Sequence, residues 1–441
     1  MKMILNTIFL FLAAMIPTFG DIISEGKTKI VRAYPDDPTL AIFESKDDIT
    51  AFNSLKHDVI QGKGDLANQT TCNVFRLLAD CGIPVSFRKQ LDSHSFLGEL
   101  CDMVLYEVVV RREAHGSYLK RHPYLEKGTV FPKLVLEFFL KTSNHNWMGT
   151  AIPADDPYIQ FTDLGAELYL PDAPIVSQKP FMILSDFPLK GQPALFEQIA
   201  LIAKQTFLVL EKAWQLENAR LVDFKVEFGI NSSGKLVLAD VIDNDSWRVV
   251  QNQQYIDKQV YRDGGAIDKV AALYKHVSKV TGNFKLPYQQ LILWRESEYD
   301  DLTPFTKQFE PYANANLKSV QVTSSVHKNP VGSYLALQEK IKDVPDSVLI
   351  AYIGKSNVAG PSLAANATIP VITTPEGWDK LHEDVWSSLR APSLTPVLTA
   401  LEPQNAVLAA LQILALRNPM LYMQLRLKQE ERLVNVFGLD E

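Results

Sequence analysis

The sequence predicts two domains of different texture: an α+β domain over residues 21–265 and an α/β domain with a parallel sheet over residues 288–441. Three observations predict this. The first half groups its apolar runs into neighbouring strands and a hairpin around two helical stretches. The second half alternates short apolar strands with helical segments. The change falls at Leu286-Pro287, which places the boundary near residue 285. A chain of 441 residues is long enough for two or three ordinary cores.

Taken in order, residues 29–34 and 39–44 read as paired strands. Residues 66–80 have helical periodicity and stop at Cys81-Gly82. MVLYEVVVRR, residues 103–112, is a dense apolar strand, and residues 135–140 are another. Pro193 opens a long amphipathic helix to residue 217, at a position where its missing N–H costs nothing. Leu195, Ile199, Leu201, Ile202, Phe207, Leu208 and Trp214 are expected to supply its apolar stripe. Residues 221–248 follow: LVDFKVEFGI, an Asn-Ser-Ser-Gly turn, then KLVLADVIDNDSWR, which reads as a hairpin. Residues 266–287 are expected to be a linker helix. Beyond them, 290–294, 317–322, 348–353 and 369–373 are short apolar strands, and 406–436 is the last helical region.

Composition narrows the function. The formal net charge is −7, from 44 basic and 51 acidic residues, which argues against a general nucleic-acid binder. It leaves room for a local basic pocket that takes phosphorylated small molecules. The first twenty residues, MKMILNTIFLFLAAMIPTFG, have the pattern of a cleaved secretory signal, so a secreted location is expected. No later segment approaches the ~20 apolar residues of a membrane span, so no membrane partner is expected after cleavage. Asn68, Asn231, Asn244 and Asn366 stand in glycosylation sequons, consistent with export. The three cysteines do not form a disulfide framework. The whole reads as a protein of cytosolic type that carries an export signal.

Three motifs carry chemistry. In the hairpin, alternation puts Asp223, Lys225 and Glu227 on one strand face, with Asp240 able to sit across from Glu227. Two carboxylates beside a lysine suit a Mg²⁺–phosphate site, because hard Mg²⁺ takes carboxylate and phosphate oxygens together. A solvated strand face with ordinary ion pairs gives the same pattern. Ser24-Glu-Gly-Lys-Thr-Lys29 precedes a strand; Gly26 lets backbone approach a phosphate, and Lys27 and Lys29 neutralise it. A surface turn would serve as well. Arg111-Arg112-Glu-Ala-His-Gly-Ser-Tyr-Leu-Lys-Arg121 follows a buried strand, and Arg112, Ser117 and Arg121 around Gly116 suit a phosphate monoester. An exposed basic loop is the competing reading.

Together these pieces run in one order: EGKTK, KDDITAFN (46–53), RREAHGSYLKR, DFKVEFG, LADVIDNDSWR and DKQVYRD (257–263). That order resembles SAICAR synthetase, the ATP-dependent ligase of purine biosynthesis. SSVHK (324–328), GKSNVAGP (354–361), ATIPVIT (367–373) and DVWSSLRAPS (384–393) resemble class II AIR carboxylase. The chain therefore resembles the animal bifunctional (PAICS-type) family over its whole mature length. The resemblance implies an ATP-grasp-like first domain and a three-layer α/β second domain. It implies that ATP phosphorylates the carboxylate of CAIR and that the amine of L-aspartate displaces phosphate to give SAICAR. Lys27 and Lys29, with Gly26, would then meet ATP phosphates, and Glu227 and Asp240 would hold Mg²⁺ and nucleotide. Arg112, Ser117 and Arg121 would grip the ribose phosphate or the imidazole carboxylate. Lys225, Asp245, Arg248, Lys258 and Arg262 would line the nucleotide and aspartate sites. A homo-oligomer, an octamer in the family, is the implied assembly.

The second domain departs from its family. The phosphate loop after its first strand here reads Trp294-Arg-Glu-Ser-Glu-Tyr-Asp-Asp301, without glycine and with acidic residues where phosphate would approach. Pro396 stands in the later loop that is glycine-rich in the family. His327, Lys328, Gly354 and Ser356 keep carboxylase-like positions, but carboxylase activity is expected to be lost. Two functions therefore compete. One is a working ligase with a degenerate carboxylase domain. The other is a secreted, inactive protein that binds a small ligand such as a purine or pigment, or serves as an oligomeric storage or structural protein. Export favours the second, since ATP and CAIR are scarce outside cells.

Overall fold

The computed structural model describes residues 20–51, 55–142, 145–162, 165–184, 193–355, 357–380 and 382–433. The apolar run at residues 3–16, expected to direct export, lies outside the described residues, as does Ser356. No helix among the described residues is long and apolar enough to cross a membrane.

The first unit begins with β1 (Ile22–Glu25), β2 (Lys29–Ala33), β3 (Leu40–Ser45), β4 (Asp48–Ala51), β5 (Lys56–Val59) and α1 (Lys63–Asp80). It continues with β6 (Phe87–Gln90), β7 (Ser95–Glu99), β8 (Asp102–Glu113), α2 (Ser117–Arg121), β9 (Val130–Leu140), β10 (Asn146–Trp147) and β11 (Thr150–Ala151). Then come β12 (Tyr158–Thr162), β13 (Gly165–Tyr169), β14 (Met182–Leu184), α3 (Pro193–Leu216), β15 (Ala219–Ile230) and β16 (Leu236–Ala239). It closes with β17 (Trp247–Gln251), β18 (Gln254–Tyr255), α4 (Gln259–Arg262) and α5 (Ile267–Thr281). The two larger sheets are antiparallel, a five-stranded one in the order β1-β2-β3-β7-β6 and a nine-stranded one in the order β14-β13-β12-β9-β8-β15-β17-β18, with β16 on β15; β4–β5 and β10–β11 form two-stranded ribbons.

The two-residue period of β8 and β15 sorts their side chains. Tyr106, Val108 and Val110 of β8, and Phe224, Val226 and Phe228 of β15, enter one apolar core with residues of α1 and α3. Glu107, Val109 and Arg111, and Asp223, Lys225 and Glu227, face the other way and line a cavity. Asp223 stands opposite Arg111, and the register shifts only between Val226 and Phe228. The helix expected at residues 266–287 is α5; it packs against α1 and sends Val277 and Val280 into the same core.

The second unit contains β19 (Gln289–Arg295), α6 (Thr303–Phe309), β20 (Leu317–Thr323), α7 (Pro330–Asp343), β21 (Ser347–Ile353) and α8 (Ala359–Ala365). β22 (Val371–Pro375), α9 (Glu383–Leu389), β23 (Val397–Thr399), α10 (Pro403–Ala415) and α11 (Pro419–Arg432) complete it. Its sheet has the order β20-β19-β21-β22-β23, and every pairing is parallel. Both faces are covered, as a parallel sheet requires. Leu291 and Leu293 pack with Phe305 of α6 and with α10, whereas Ile292 and Trp294 pack with Leu337 of α7 and Leu363 of α8. The single helix expected over 406–436 is two. The first ends at Ala415; Asn418 then accepts the Leu421 N–H at 3.0 Å and starts α11, with Pro419 in its first turn.

Two of the four sequons are unusable in the folded chain. Asn68 is fully buried, its amide donating to the carbonyls of Ser93 at 2.9 Å and Asp92 at 3.2 Å. Asn244 is 1% exposed. A glycan needs a solvated asparagine, so the expectation fails at both. Asn366 is exposed, and Asn231 sits half-exposed in the β15–β16 turn.

Candidate functional site

A cavity of about 620 Å³ opens between the β1–β2 turn and β4 on one side and the nine-stranded sheet on the other. That size lies within the roughly 300–1,000 Å³ usual for small-molecule sites. Lys27 and Thr28 of the β1–β2 turn line it, and Gly26 shapes the turn by donating its N–H to the Lys29 carbonyl at 2.9 Å. Lys29 points to Asp240 and forms an ion pair with it.

Asp240 reaches the cavity by an unusual backbone. Glu227 pairs in register with Ala239, so an extended chain would turn Asp240 to the other face. Its φ of 65° turns the chain and brings the carboxylate back into the cavity. Aspartate tolerates that region better than most residues. Glu227 forms an ion pair with Lys141 and has Lys225 Nζ at 3.9 Å. Burial opposes its charge, but Lys141 and Lys225 outweigh burial and hold Glu227 below the usual glutamate range. Lys225 in turn meets Glu107 at 2.5 Å.

A second cluster sits around Asp223. Arg111 donates from Nη1 to Asp223 Oδ2 at 2.6 Å, and Arg248 donates from Nη1 to the same oxygen at 2.7 Å. Ser117 lies beside them, 3.4 Å from Arg111 Nη2. Gly116 is what lets Arg248 lie there. A Cβ on Gly116 would come within 2.3 Å of Arg248 Nη2, and the backbone has φ 58° and ψ −131°, a conformation open to glycine alone. Farther along, Lys258 donates to Asp245 Oδ2 at 2.8 Å, and Tyr274 bonds the other oxygen. Burial opposes charge on Asp245, yet Lys63 and Lys258 hold it well below the carboxylate range, while burial beside Asp245 pushes Asp243 up. Arg262 completes this wall.

Two expected contacts are corrected. Arg112 does not face the cavity. It lies on the helix side of β8, where Nε donates to Glu211 of α3 at 2.6 Å and Nη2 donates to Glu430 of α11 at 2.7 Å. Strand alternation is the reason: Arg111 and Arg112 must point to opposite faces. Arg121 is fully buried behind the cavity wall, donating to Glu137 and to the Pro171 carbonyl at 2.6 Å. Glu137 also accepts from Arg111 Nε at 2.6 Å, so Arg121 braces the site from behind, through Glu137 and through Pro171 of the cavity wall. Arg111, Glu107 and Lys141 are the site residues that sequence reasoning missed. Counting by twos back from Asp223's partner would have found the first two. Lys141 has no local signal.

The donor set around Glu227 and Asp240 fits a Mg²⁺ ion. Both are carboxylates, both line the cavity, and each already has a lysine ammonium group on one oxygen, Lys141 on Glu227 and Lys29 on Asp240. Among the described residues, no group of three or more acidic, histidine or cysteine side chains is arranged as a complete metal cage. Mg²⁺ held by one or two carboxylates takes its remaining ligands from phosphate and water.

In the second unit, the open ends of β19 and β21 flank the switch in strand order, where α/β sheets bind ligands. The acidic loop after β19 occupies that crevice's edge. Glu296 accepts the Val326 N–H at 2.9 Å and lies 3.1 Å from His327 Nδ1. Lys328 is exposed in the next turn. Gly354 lies against Glu376, where a Cβ would stand 2.7 Å from the carboxylate. Burial and the neighbouring Asp300 raise Glu376 above its ordinary value.

Comparison with known proteins fits both units. Residues 22–160 and 172–279 match the SAICAR synthetase family, and residues 297–433 match the AIR carboxylase family. The chain is 34% identical to the probable multifunctional protein ADE2 of Caenorhabditis elegans over 432 residues, covering 95% of each chain. It is 32% identical over 431 residues to the bifunctional phosphoribosylaminoimidazole carboxylase/phosphoribosylaminoimidazole succinocarboxamide synthetase of Homo sapiens, covering 94% of each. The crystal structure of phosphoribosylaminoimidazole-succinocarboxamide synthase from Ehrlichia chaffeensis is 26% identical, with a TM-score of 0.48 over 59% of this chain and 98% of that one. The chain belongs to the family of bifunctional proteins in which a SAICAR synthetase is fused to an AIR carboxylase.

Proposed function

We propose that this chain is an ATP-dependent ligase that joins CAIR and L-aspartate to give SAICAR. The observation that carries the reading is the cavity itself. Lys27, Lys225, Arg111, Arg248, Lys258 and Arg262 converge on one space that also holds eight carboxylates, the Glu227–Asp240 pair among them. Polyanionic substrates demand that many cations. The γ-phosphoryl group of ATP passes to a carboxylate oxygen of CAIR and releases ADP. The amine of aspartate then attacks the acyl carbon, loses a proton, and phosphate leaves as the amide forms. Such chemistry needs positioning and charge neutralisation more than a protein nucleophile.

Within this reading Lys27, Lys29 and Lys225 hold the ATP phosphates between the small and the large sheet, the ATP-grasp-like clasp. Glu227 and Asp240 would hold Mg²⁺, which would supply shielding of the phosphate charge. Arg111, Ser117 and Arg248 take the anionic groups of CAIR, with Arg111 in the role expected of Arg112. Lys258 and Arg262 suit the carboxylates of aspartate. The second unit, on the same reading, no longer carboxylates AIR. Glu296 in the β19 loop holds the Val326 N–H and His327, and like charge repels a phosphate there.

The test is SAICAR formation by the chain from Asp21 with ATP, Mg²⁺, CAIR and aspartate, beside the Glu227→Ala variant. Turnover that the variant loses supports the ligase. A purified chain with neither turnover nor ATP binding sinks it. AIR and bicarbonate supplied alone should give no CAIR above the uncatalysed rate.

A further inference from the structure

We propose that α11, the last helix of the carboxylase-like unit, aims Arg111 of the ligase site, and that Glu430 is the positioning residue through which it does so. The inference rests on the ligase reading above.

The β8–β9 ladder breaks where Arg111 needs support. Arg111 pairs with Val135, but the next pair is Glu113 with Val130, so residues 131–134 bulge out of register. A bulge leaves backbone groups without ladder partners, bends the strand and increases its local twist. Glu430 supplies what the ladder does not. One carboxylate oxygen accepts Arg112 Nη2 at 2.7 Å, and the other accepts the Leu134 N–H at 2.9 Å. It thus ties β8 to β9 across the bulge, from a residue 296 positions later in the chain. Arg112 itself donates to the Phe131 carbonyl at 3.1 Å inside the bulge.

The carboxylate is 4% exposed and held in turn. Arg426 donates to it at 2.9 Å and to the Pro132 carbonyl at 2.7 Å. Tyr422 of the same helix donates to Glu211, which also receives Arg112. Met423 enters the first unit's core, while Leu421 and Leu425 enter the second's. Apolar contacts alone would dock the helix, and a buried ionic cluster is costly to desolvate. Its placement has a second consequence. Arg112 and Arg111 are consecutive residues of one strand, so a rotation of the backbone that frees Arg112 also swings Arg111 away from Asp223 and Ser117.

The experiment uses the full chain with Glu430→Gln, which keeps an acceptor for the Leu134 N–H and removes the charge from Arg112. The expected result is a kcat lower by roughly 3–10-fold and an affinity for SAICAR, measured by calorimetry, lower by a similar factor. The KM for ATP should stay within about twofold, because Lys27 and Glu227 lie at the other end of the cavity. A purely structural role would lower the melting midpoint and leave kcat and SAICAR affinity of the folded fraction alone; that outcome overturns the proposal. Should Glu430→Gln fail to fold, Arg426→Ala weakens the same anchor more gently, and a smaller fall in the same two quantities is expected. A wild-type chain that binds SAICAR without turning over sinks the ligase reading but leaves the binding comparison decisive. One that neither binds nor turns over overturns both.

Discussion

Replacing Gly116 by alanine perturbs the Arg248–Asp223 contact without touching a charged residue. Two costs can be worked from the structure. The backbone at φ 58° and ψ −131° admits only glycine comfortably, and forcing a Cβ into such a region costs about 1–3 kcal/mol. The new methyl group would also sit 2.3 Å from Arg248 Nη2 and 2.7 Å from Cζ. The obstacle is the far end of a flexible side chain, so the guanidinium can swing aside. Doing so forfeits its 2.7 Å bond to Asp223, although Arg111 still neutralises that carboxylate at 2.6 Å. Folding therefore loses little beyond the backbone strain, and function loses a charge-assisted contact of about 1.5–3 kcal/mol. That energy corresponds to a fall of roughly 10–150-fold in kcat/KM for CAIR. The assay pairs SAICAR initial rates with thermal melting of the same preparation. A Gly116→Ala protein whose kcat/KM stays within about threefold of wild type would show that Arg248 does not bear on the reaction, and the assignment of that corner to substrate would fall.

Other predictions follow from the same geometry. Burial pushes Asp257 up to about 7, against the backbone N–H groups of Val249 and Gln259 that it accepts at 2.7 Å and against Arg248 and Arg262. Its folded state binds more protons than its unfolded state between about pH 4 and pH 7, so its contribution to stability falls as pH rises through that window. In denaturant titrations wild type should lose stability relative to Asp257→Asn as pH rises through this range; parallel curves would refute the shift. Arg112→Ala strands Glu211 and Glu430 and should destabilise the fold by about 3–5 kcal/mol, whereas Ser117→Ala should weaken substrate by a few-fold with no change in melting. The reverse pattern would put Arg112 in the cavity after all. In chain recovered folded from a glycosylating secretory host, peptide mapping should find glycan at Asn366 and none at Asn68 or Asn244; an occupied Asn68 contradicts its burial.

The parts of the fold set by local pattern were legible. The strands at 103–112 and 290–294, the long helix opened by Pro193 and the 221–248 hairpin appear close to where periodicity puts them. The site was legible where charge sits on a strand of known parity, as with Asp223, Lys225 and Glu227. It was misread where two adjacent candidates differ only in parity. The motif centred on Gly116 drew attention to Arg112, yet the register to Asp223 selects Arg111. Asp240 needed a left-handed residue to reach the cavity, which no pattern rule predicts. Glu137 of β9 and Lys141 just after it join the site only through long-range pairing, and sequence spacing carries no trace of that.

The same parity argument bears on why the two units stay together. β8 carries the reaction face on its odd residues and the anchor face on its even ones, so one strand answers to the cavity and to α11 at once. An amphipathic reading of residues 406–436 shows an apolar stripe but not that Glu430 would be drawn 4% exposed into another unit's bulge. On the proposed reading, a second unit that no longer carboxylates AIR would still hold the first in working shape through that helix. Cutting the chain between the units would then cost ligase activity even with every cavity residue intact, because the bulge at 131–134 would have no carboxylate to close it.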